Sequence, residues 1–216
     1  MANIYTLSDK EIEDTISLSV IKIEYLQLKN IDISSYDAII FTSKNAVEAI
    51  NLQTDSWKNI PSYAIGDPTA SVIKQKGGQL KFISQHNHGD SFAYELVKVL
   101  KDKKVLYPRA LKVVSNLKNT LKTNNIICDE IVVYKTTCEQ RYKNKVLPKN
   151  SVFIFSSPST INCFFENFNW DDSFKAVCIG DTTKKYLPSF IKPYIAKETT
   201  LKSCVALAKE LIKKKL

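Results

Sequence analysis

A single offset constrains this chain more than any other feature. Sliding the sequence by 114 residues lays Phe41 on Phe155, and "IIFTSKNAVEAI" then falls on "FIFSSPSTINCF". Without a gap, "YAIGDPTASVI" falls on "VCIGDTTKKYL", and the two features stand 25 residues apart in each copy. Ser43 thereby matches Ser157, Gly66 matches Gly180, Asp67 matches Asp181 and Thr69 matches Thr183. A chain of 216 residues with only five glycines places two of them in the same tripeptide, Ile-Gly-Asp. An internal repeat of this kind fixes the architecture before any single motif is weighed.

Each copy reads as strand, turn, helix, strand, turn, helix. "DAIIFTS" and "SVFIFSS" are unbroken apolar runs, the pattern of parallel strands covered on both faces. "KNAVEAINLQ" and "PSTINCFFENF" follow with helical spacing, entered through Ser or Thr caps and, in the second copy, through Pro158 in the first turn. "SYAIG" and "KAVCIG" are the next strands, with "PTASVIKQKG" and "TTKKYLPSF" as the next helices. Later helices are expected over "DSFAYELVKVLKDKK", capped by Asp90 or Ser91, and over "TTLKSCVALAKELIKKK", capped by Thr199 or Thr200. Two stretches remain: a strand–helix–strand unit, "KVLYPRALKVVSNLKNTLKTNNIICDEIVVYKT", and a shorter, eroded version of it at the N-terminus. The chain therefore runs unit, copy, unit, copy, and alternating strands and helices indicate parallel α/β sheets. One unit plus one copy suffices for a flavodoxin-like sheet of about five strands.

In open parallel sheets, ligands bind beyond the carboxyl ends of the strands, where helix N-termini offer unpaired N–H groups to anions. That edge presents Thr42, Ser43, Gly66 and Thr69 in one half. In the other it presents Ser157, Gly180, Thr182 and Thr183. Glycine lets the backbone approach a ligand closely, and hydroxyls either cap the helix or donate to a carboxylate. The formal net charge of +9 points to an anionic partner, although solvated lysines account for it equally well. Nucleic acid is not expected: Arg109 and Arg141 are the only arginines, and no zinc-finger or RNP-like pattern occurs. No apolar run approaches the ~18 residues of a membrane span, and "MANIYTLSDKEIED" lacks a signal-peptide pattern, so a cytoplasmic protein is expected. The five cysteines, Cys128, Cys138, Cys163, Cys178 and Cys204, have no CxxC spacing and read as reduced small hydrophobes. His86 and His88 in "SQHNHGDS" are thin evidence for a metal, and none is expected.

"YDAIIFTSKNAVEAI", "AIGDPTA", "VLYPRA", "IVVYKT", "FIFSSPSTINCFF" and "CIGDTT" occur in an order and spacing that resembles the uroporphyrinogen-III synthase family. The likeness covers nearly the whole chain, and "IVVYKT" followed by "FSSPST" is its most specific element. The N-terminus departs from it, with "TLSD" after the first strand in place of "TRP". The resemblance implies two flavodoxin-like parallel-sheet domains with a cleft between them, joined by a two-stranded β connector at about residues 24–28 and 134–138. Domain one would be residues 1–27 plus 139–216, and domain two residues 28–134. It further implies an enzyme that cyclises hydroxymethylbilane, a linear tetrapyrrole with eight carboxylates, to uroporphyrinogen III with loss of water and inversion of ring D. That chemistry needs no cofactor, the sequence offers no site for one, and a monomer is the default expectation.

Within that reading Tyr134, in "VVYKT", is the candidate proton donor, because a phenol stays protonated at neutral pH. Arg109, in the "YPR" turn, is the candidate for a bidentate carboxylate contact, and Ser91 joins the substrate-binding set. A two-domain protein that closes on a polyanionic ligand without chemistry is the alternative.

Overall fold

A computed structural model of the protein describes residues 3–8, 11–28, 31–86, 89–113 and 115–213. In chain order the elements are β1 (Ile4–Thr6), β2 (Ile16–Ser17), β3 (Ile21–Tyr25), β4 (Ala38–Phe41), α1 (Lys44–Asn51), β5 (Ser62–Ile65) and α2 (Gly66–Gln75). There follow β6 (Leu80–Ser84), α3 (Gly89–Val99), β7 (Lys104–Ala110), α4 (Leu117–Thr123) and β8 (Ile127–Cys138). The last are β9 (Val152–Phe155), α5 (Pro158–Asn167), β10 (Lys175–Cys178), α6 (Asp181–Lys184), β11 (Pro193–Ile195) and α7 (Leu201–Lys213). Two compact units result: unit 1 is Met1–Lys22 with Thr136–Leu216, and unit 2 is Ile23–Lys135. Among the described residues no helix is long and apolar enough to cross a membrane.

Unit 1 holds a five-stranded sheet in the order β11-β10-β9-β1-β2, and every pair in it is parallel. Numbered along the chain, that is the flavodoxin-like order 2-1-3-4-5. The six-stranded sheet runs β3-β8-β7-β4-β5-β6, parallel from β8 to β6. Under the 114-residue offset, Ala38–Phe41 lands on Val152–Phe155, so β4 corresponds to β9. β8-β7-β4-β5-β6 is then the same spatial order, entered by the chain at its third strand. Both units have one topology, circularly permuted. The division between units falls within β3, after Lys22, and within β8, after Lys135.

The strands are apolar on both faces because helices cover both. In unit 2, Ile39 and Phe41 pack with Val47, Ile50 and Ile73 of α1 and α2, while Ala38 and Ile40 face Phe92, Leu96, Leu117 and Leu121 of α3 and α4. In unit 1, Phe153 and Phe155 pack on α5 through Phe164, while Val152 and Ile154 meet Cys204, Val205, Ala208 and Leu211 of α7. Phe153 lies 4.9 Å from both Phe164 and Phe174, ring centre to ring centre.

Several expectations are corrected. Cys138 and Cys163 form a disulfide, their Cα atoms 5.0 Å apart, because the end of β8 runs beside α5. Cys178 and Cys204 are free and buried, and burial pushes their thiols up to about 12 and about 11. The eroded N-terminal unit shows no helix between β1 and β2 among its described residues. α6 stops after four residues, ahead of Pro188. β6 and β11 were not anticipated, each being a short edge strand with a mixed exposure pattern.

Candidate functional site at the carboxyl ends of the strands

The strand ends of the repeat deliver two kinds of turn. In the first kind, a serine caps the helix that follows. Ser43 Oγ accepts from Asn45 N at 3.2 Å at the start of α1. Ser157 and Thr160 form a capping box at α5, with Ser157 Oγ accepting from Thr160 N at 3.3 Å and Thr160 Oγ1 accepting from Ser157 N at 3.2 Å. Pro158 at the first position has no N–H to offer. These turns satisfy most of their own donors.

The Ile-Gly-Asp turns are different. Neither α2 nor α6 receives a side-chain cap, so their opening N–H groups are left for another acceptor. The glycines serve different purposes. Gly66 sits at φ 67, in the left-handed region, where a side chain is strained. Gly180 is extended, at φ 179, and there a Cβ would stand 3.3 Å from Thr199 Cγ2. Thr182 is exposed beside this turn. Thr69 and Thr183, expected to line the walls, are instead buried at 4% exposure each, because the first turn of each helix rolls the third residue after glycine onto its own sheet. Ser91 lies inside the first turn of α3, which begins at Gly89, and is therefore not its cap. Thr200 does cap α7, accepting from Ser203 N at 3.1 Å.

Unit 2 has a concavity of ≈ 300 Å³ where β4 and β7 lie side by side, the position at which strand order reverses. It is lined by Thr42, Ser43, Tyr107, Lys112, Ser115 and Tyr134, with Ile65, Gly89, Ala110 and Val113 completing the wall. Thr42 Oγ1 and Tyr107 OH are 3.1 Å apart, and Tyr107 is also hydrogen-bonded to Ser115. Tyr134 is hydrogen-bonded to Ser43. Burial pushes both phenols above their ordinary value of 10.0, against a smaller opposing effect of those hydroxyl partners. Tyr134 is 7% exposed and belongs to the unit 2 core. The sequence suggested a strand end facing water; β8 in fact continues past it to Cys138.

Arg109 makes its contacts within unit 2. Its Nη1 donates to Ala110 O at 2.8 Å and to Leu111 O at 3.2 Å. Its Nε stands 3.1 Å from Glu130 Oε1, an ion-pair distance, although the N–H is not aligned for a hydrogen bond. Lys118 Nζ reaches the other oxygen of Glu130 at 3.1 Å. The internal carboxylate on the neighbouring strand β8 has taken the role that sequence offered to a ligand. His86 Nε2 lies 3.9 Å from Glu95 Oε1, and His88 falls outside the described residues. Tyr107, Lys112 and Ser115 were missed by sequence reading. The signal was present for Lys112, which stands just past the carboxyl end of β7, where ligands bind.

The model of the family described as Uroporphyrinogen-III synthase HemD matches residues 10–206. The crystal structure of uroporphyrinogen-III synthetase from Helicobacter pylori is similar at a TM-score of 0.84 and 30% identity, covering 98% of this chain and 100% of that one. A putative uroporphyrinogen-III synthase of Methanocaldococcus jannaschii is 29% identical over 95% of this chain and 92% of its own length. The porphyrin biosynthesis protein HemD of Ruminiclostridium josui is 27% identical over 81% of this chain, which spans 38% of that longer protein.

Proposed function

The chain belongs to the uroporphyrinogen-III synthase family, the cyclising hydro-lyases of tetrapyrrole biosynthesis, and from that premise we propose how its residues carry out the reaction. Hydroxymethylbilane is held folded by its carboxylates, which accept from backbone N–H groups of the kind that an uncapped Ile-Gly-Asp turn offers. Tyr134 donates its phenolic proton as the C–O bond of the hydroxymethyl group breaks, and water leaves. The azafulvenium cation that remains is attacked by the substituted α-carbon of ring D. The spiro intermediate opens and recloses with ring D inverted, and the proton lost from carbon in the last step restores the phenol. Hydroxymethylbilane thus becomes uroporphyrinogen III and water.

Unassisted closure uses the unsubstituted position and gives isomer I. The enzyme's main contribution is therefore conformational, a proximity effect of about several kcal/mol in favourable cases. The observation that carries the reading is the pair of helices that open at Ile-Gly-Asp without a side-chain cap. A preformed amide donor set of this kind suits carboxylates and costs no side-chain entropy. Tyr134 is placed for this part by lining the concavity beside Ser43, and a phenol is protonated at neutral pH. The same reading has β3 and β8 as the connector between domains, and the protein as a cytoplasmic monomer that needs neither nucleic acid nor membrane. The test is to incubate the protein with freshly made hydroxymethylbilane, oxidise the products and separate the isomers. Isomer III in excess is expected; isomer I alone, at the spontaneous rate, overturns the reading.

A further inference from the structure

We propose that Lys112 is the cation that pairs with a substrate carboxylate in unit 2, and that Arg109 is the positioning residue that holds it there. The inference rests on the reading above for the identity of the ligand, but on separate observations for the residues. Arg109 turns back on its own strand end and grips the carbonyls of Ala110 and Leu111. Leu111 N donates to Tyr134 O at 2.8 Å, which ties the same point to β8. On the far side, Asn116 N donates to Asp90 Oδ1 at 2.7 Å. Gly89 also packs so closely on Ser115 that a Cβ there would stand 2.5 Å from the serine Cβ. Leu111, next to Lys112, is therefore held at the end of β7, and Ser115 and Asn116 are held at the start of α3.

Lys112 is exposed and lines the concavity with the hydroxyl groups of Thr42, Tyr107, Ser115 and Tyr134. It is the one ionised side chain among the described lining residues, and no Asp or Glu faces it there. A lysine that shares a concavity with several hydroxyls, and with no carboxylate among the described lining residues, suits an anion with several acceptor lone pairs, and a carboxylate has about four such sites. Arg109 is already committed to Glu130, so the two basic residues of "YPRALK" divide the work. One is internal and fixes geometry, and the other is external and meets the ligand.

Two measurements test this. The first is equilibrium binding of uroporphyrin III, an octacarboxylate, which is independent of turnover. Lys112→Ala should weaken it by about tenfold, the size of one charge-assisted hydrogen bond at a half-open site, and Lys112→Arg should restore it. The second is kinetics with hydroxymethylbilane. Lys112→Ala should raise KM by about the same factor while kcat stays within about twofold, because the contact holds substrate and transition state alike. Arg109→Ala should lower Tm as well as raise KM, and adding Lys112→Ala to it should raise KM little further. Unchanged uroporphyrin binding in a folded Lys112→Ala variant overturns the assignment, even if the wild type makes isomer III. Wild-type protein that binds uroporphyrin through Lys112 but forms only isomer I leaves this contact standing and removes the proposed reaction.

Discussion

The two Ile-Gly-Asp turns are written alike and built differently. In unit 2 the turn needs glycine for its backbone, with Gly66 at φ 67, and it opens a helix of ten residues. In unit 1 Gly180 is extended, its absent side chain makes room for Thr199, and the helix that follows has four residues. The units also differ in what stands beside the turn. Unit 2 brings two buried phenols and a lysine to the carboxyl edge. Unit 1 brings a capping box and a disulfide that braces its aromatic core. The same frame occurs twice, and on the proposed reading the difference assigns the proton donor to unit 2 and leaves unit 1 to hold substrate.

The sharpest way to break that contrast is Tyr134→Phe, which removes the proton donor proposed for unit 2. Turnover should fall by roughly 10- to 1000-fold, as for loss of a positioned general acid. The product should remain mainly isomer III, and the ring packing is kept. Full turnover in a folded variant removes the catalytic role, and a change to isomer I at retained rate makes Tyr134 a positioning residue. The wild-type rate should not decline between neutral pH and about 9, because burial keeps the phenol protonated there. The stability that a raised phenol pKa contributes is present below its ordinary value of 10.0 and is lost as pH rises through the folded value.

Reducing the Cys138–Cys163 disulfide, 25 residues apart, should act on unit 1 alone, lowering its unfolding free energy by about 3 kcal/mol. Hydrogen exchange with and without a thiol reductant reads this directly. Equal loss of protection in α1 or α2 of unit 2 would mean that the two units unfold as one.

Gly66→Ala should cost about 1–2 kcal/mol, since it forces a Cβ into the left-handed region. Gly180→Ala should cost less than that, because its backbone suits any residue and only a methyl contact of 3.3 Å must relax. Urea denaturation of both variants decides it, and equal losses would erase the distinction between the turns.

The smallest effect expected is at the caps. Ser157→Ala and Ser43→Ala each remove one side-chain acceptor from a helix start, since the backbone N–H of residue 157 keeps Thr160 Oγ1 as its acceptor, so each should lose about 1 kcal/mol. A larger loss for Ser43→Ala would show that its bond to Tyr134 contributes more than its cap.

The sequence alone was enough for the architecture, and the reason is periodicity. Four unbroken apolar runs at one offset can only be strands covered on both faces, and Ser43, Ser157, Gly66 and Gly180 mark where each strand stops. Those are local properties, set by backbone sterics and by the burial that a two-faced strand requires. Short edge strands such as β6 and β11 escaped because their side chains are half exposed and carry no clear period. What only the tertiary structure decided was the partner of each polar group. Arg109 read as a ligand contact until β8 placed Glu130 3.1 Å away, and Cys138 read as a free thiol until α5 brought Cys163 beside it. Thr69 and Thr183 read as exposed hydroxyls until helix rotation buried them. Hydrogen bonds, ion pairs and disulfides join residues distant in the chain, and their geometry exists only once the sheet has assembled.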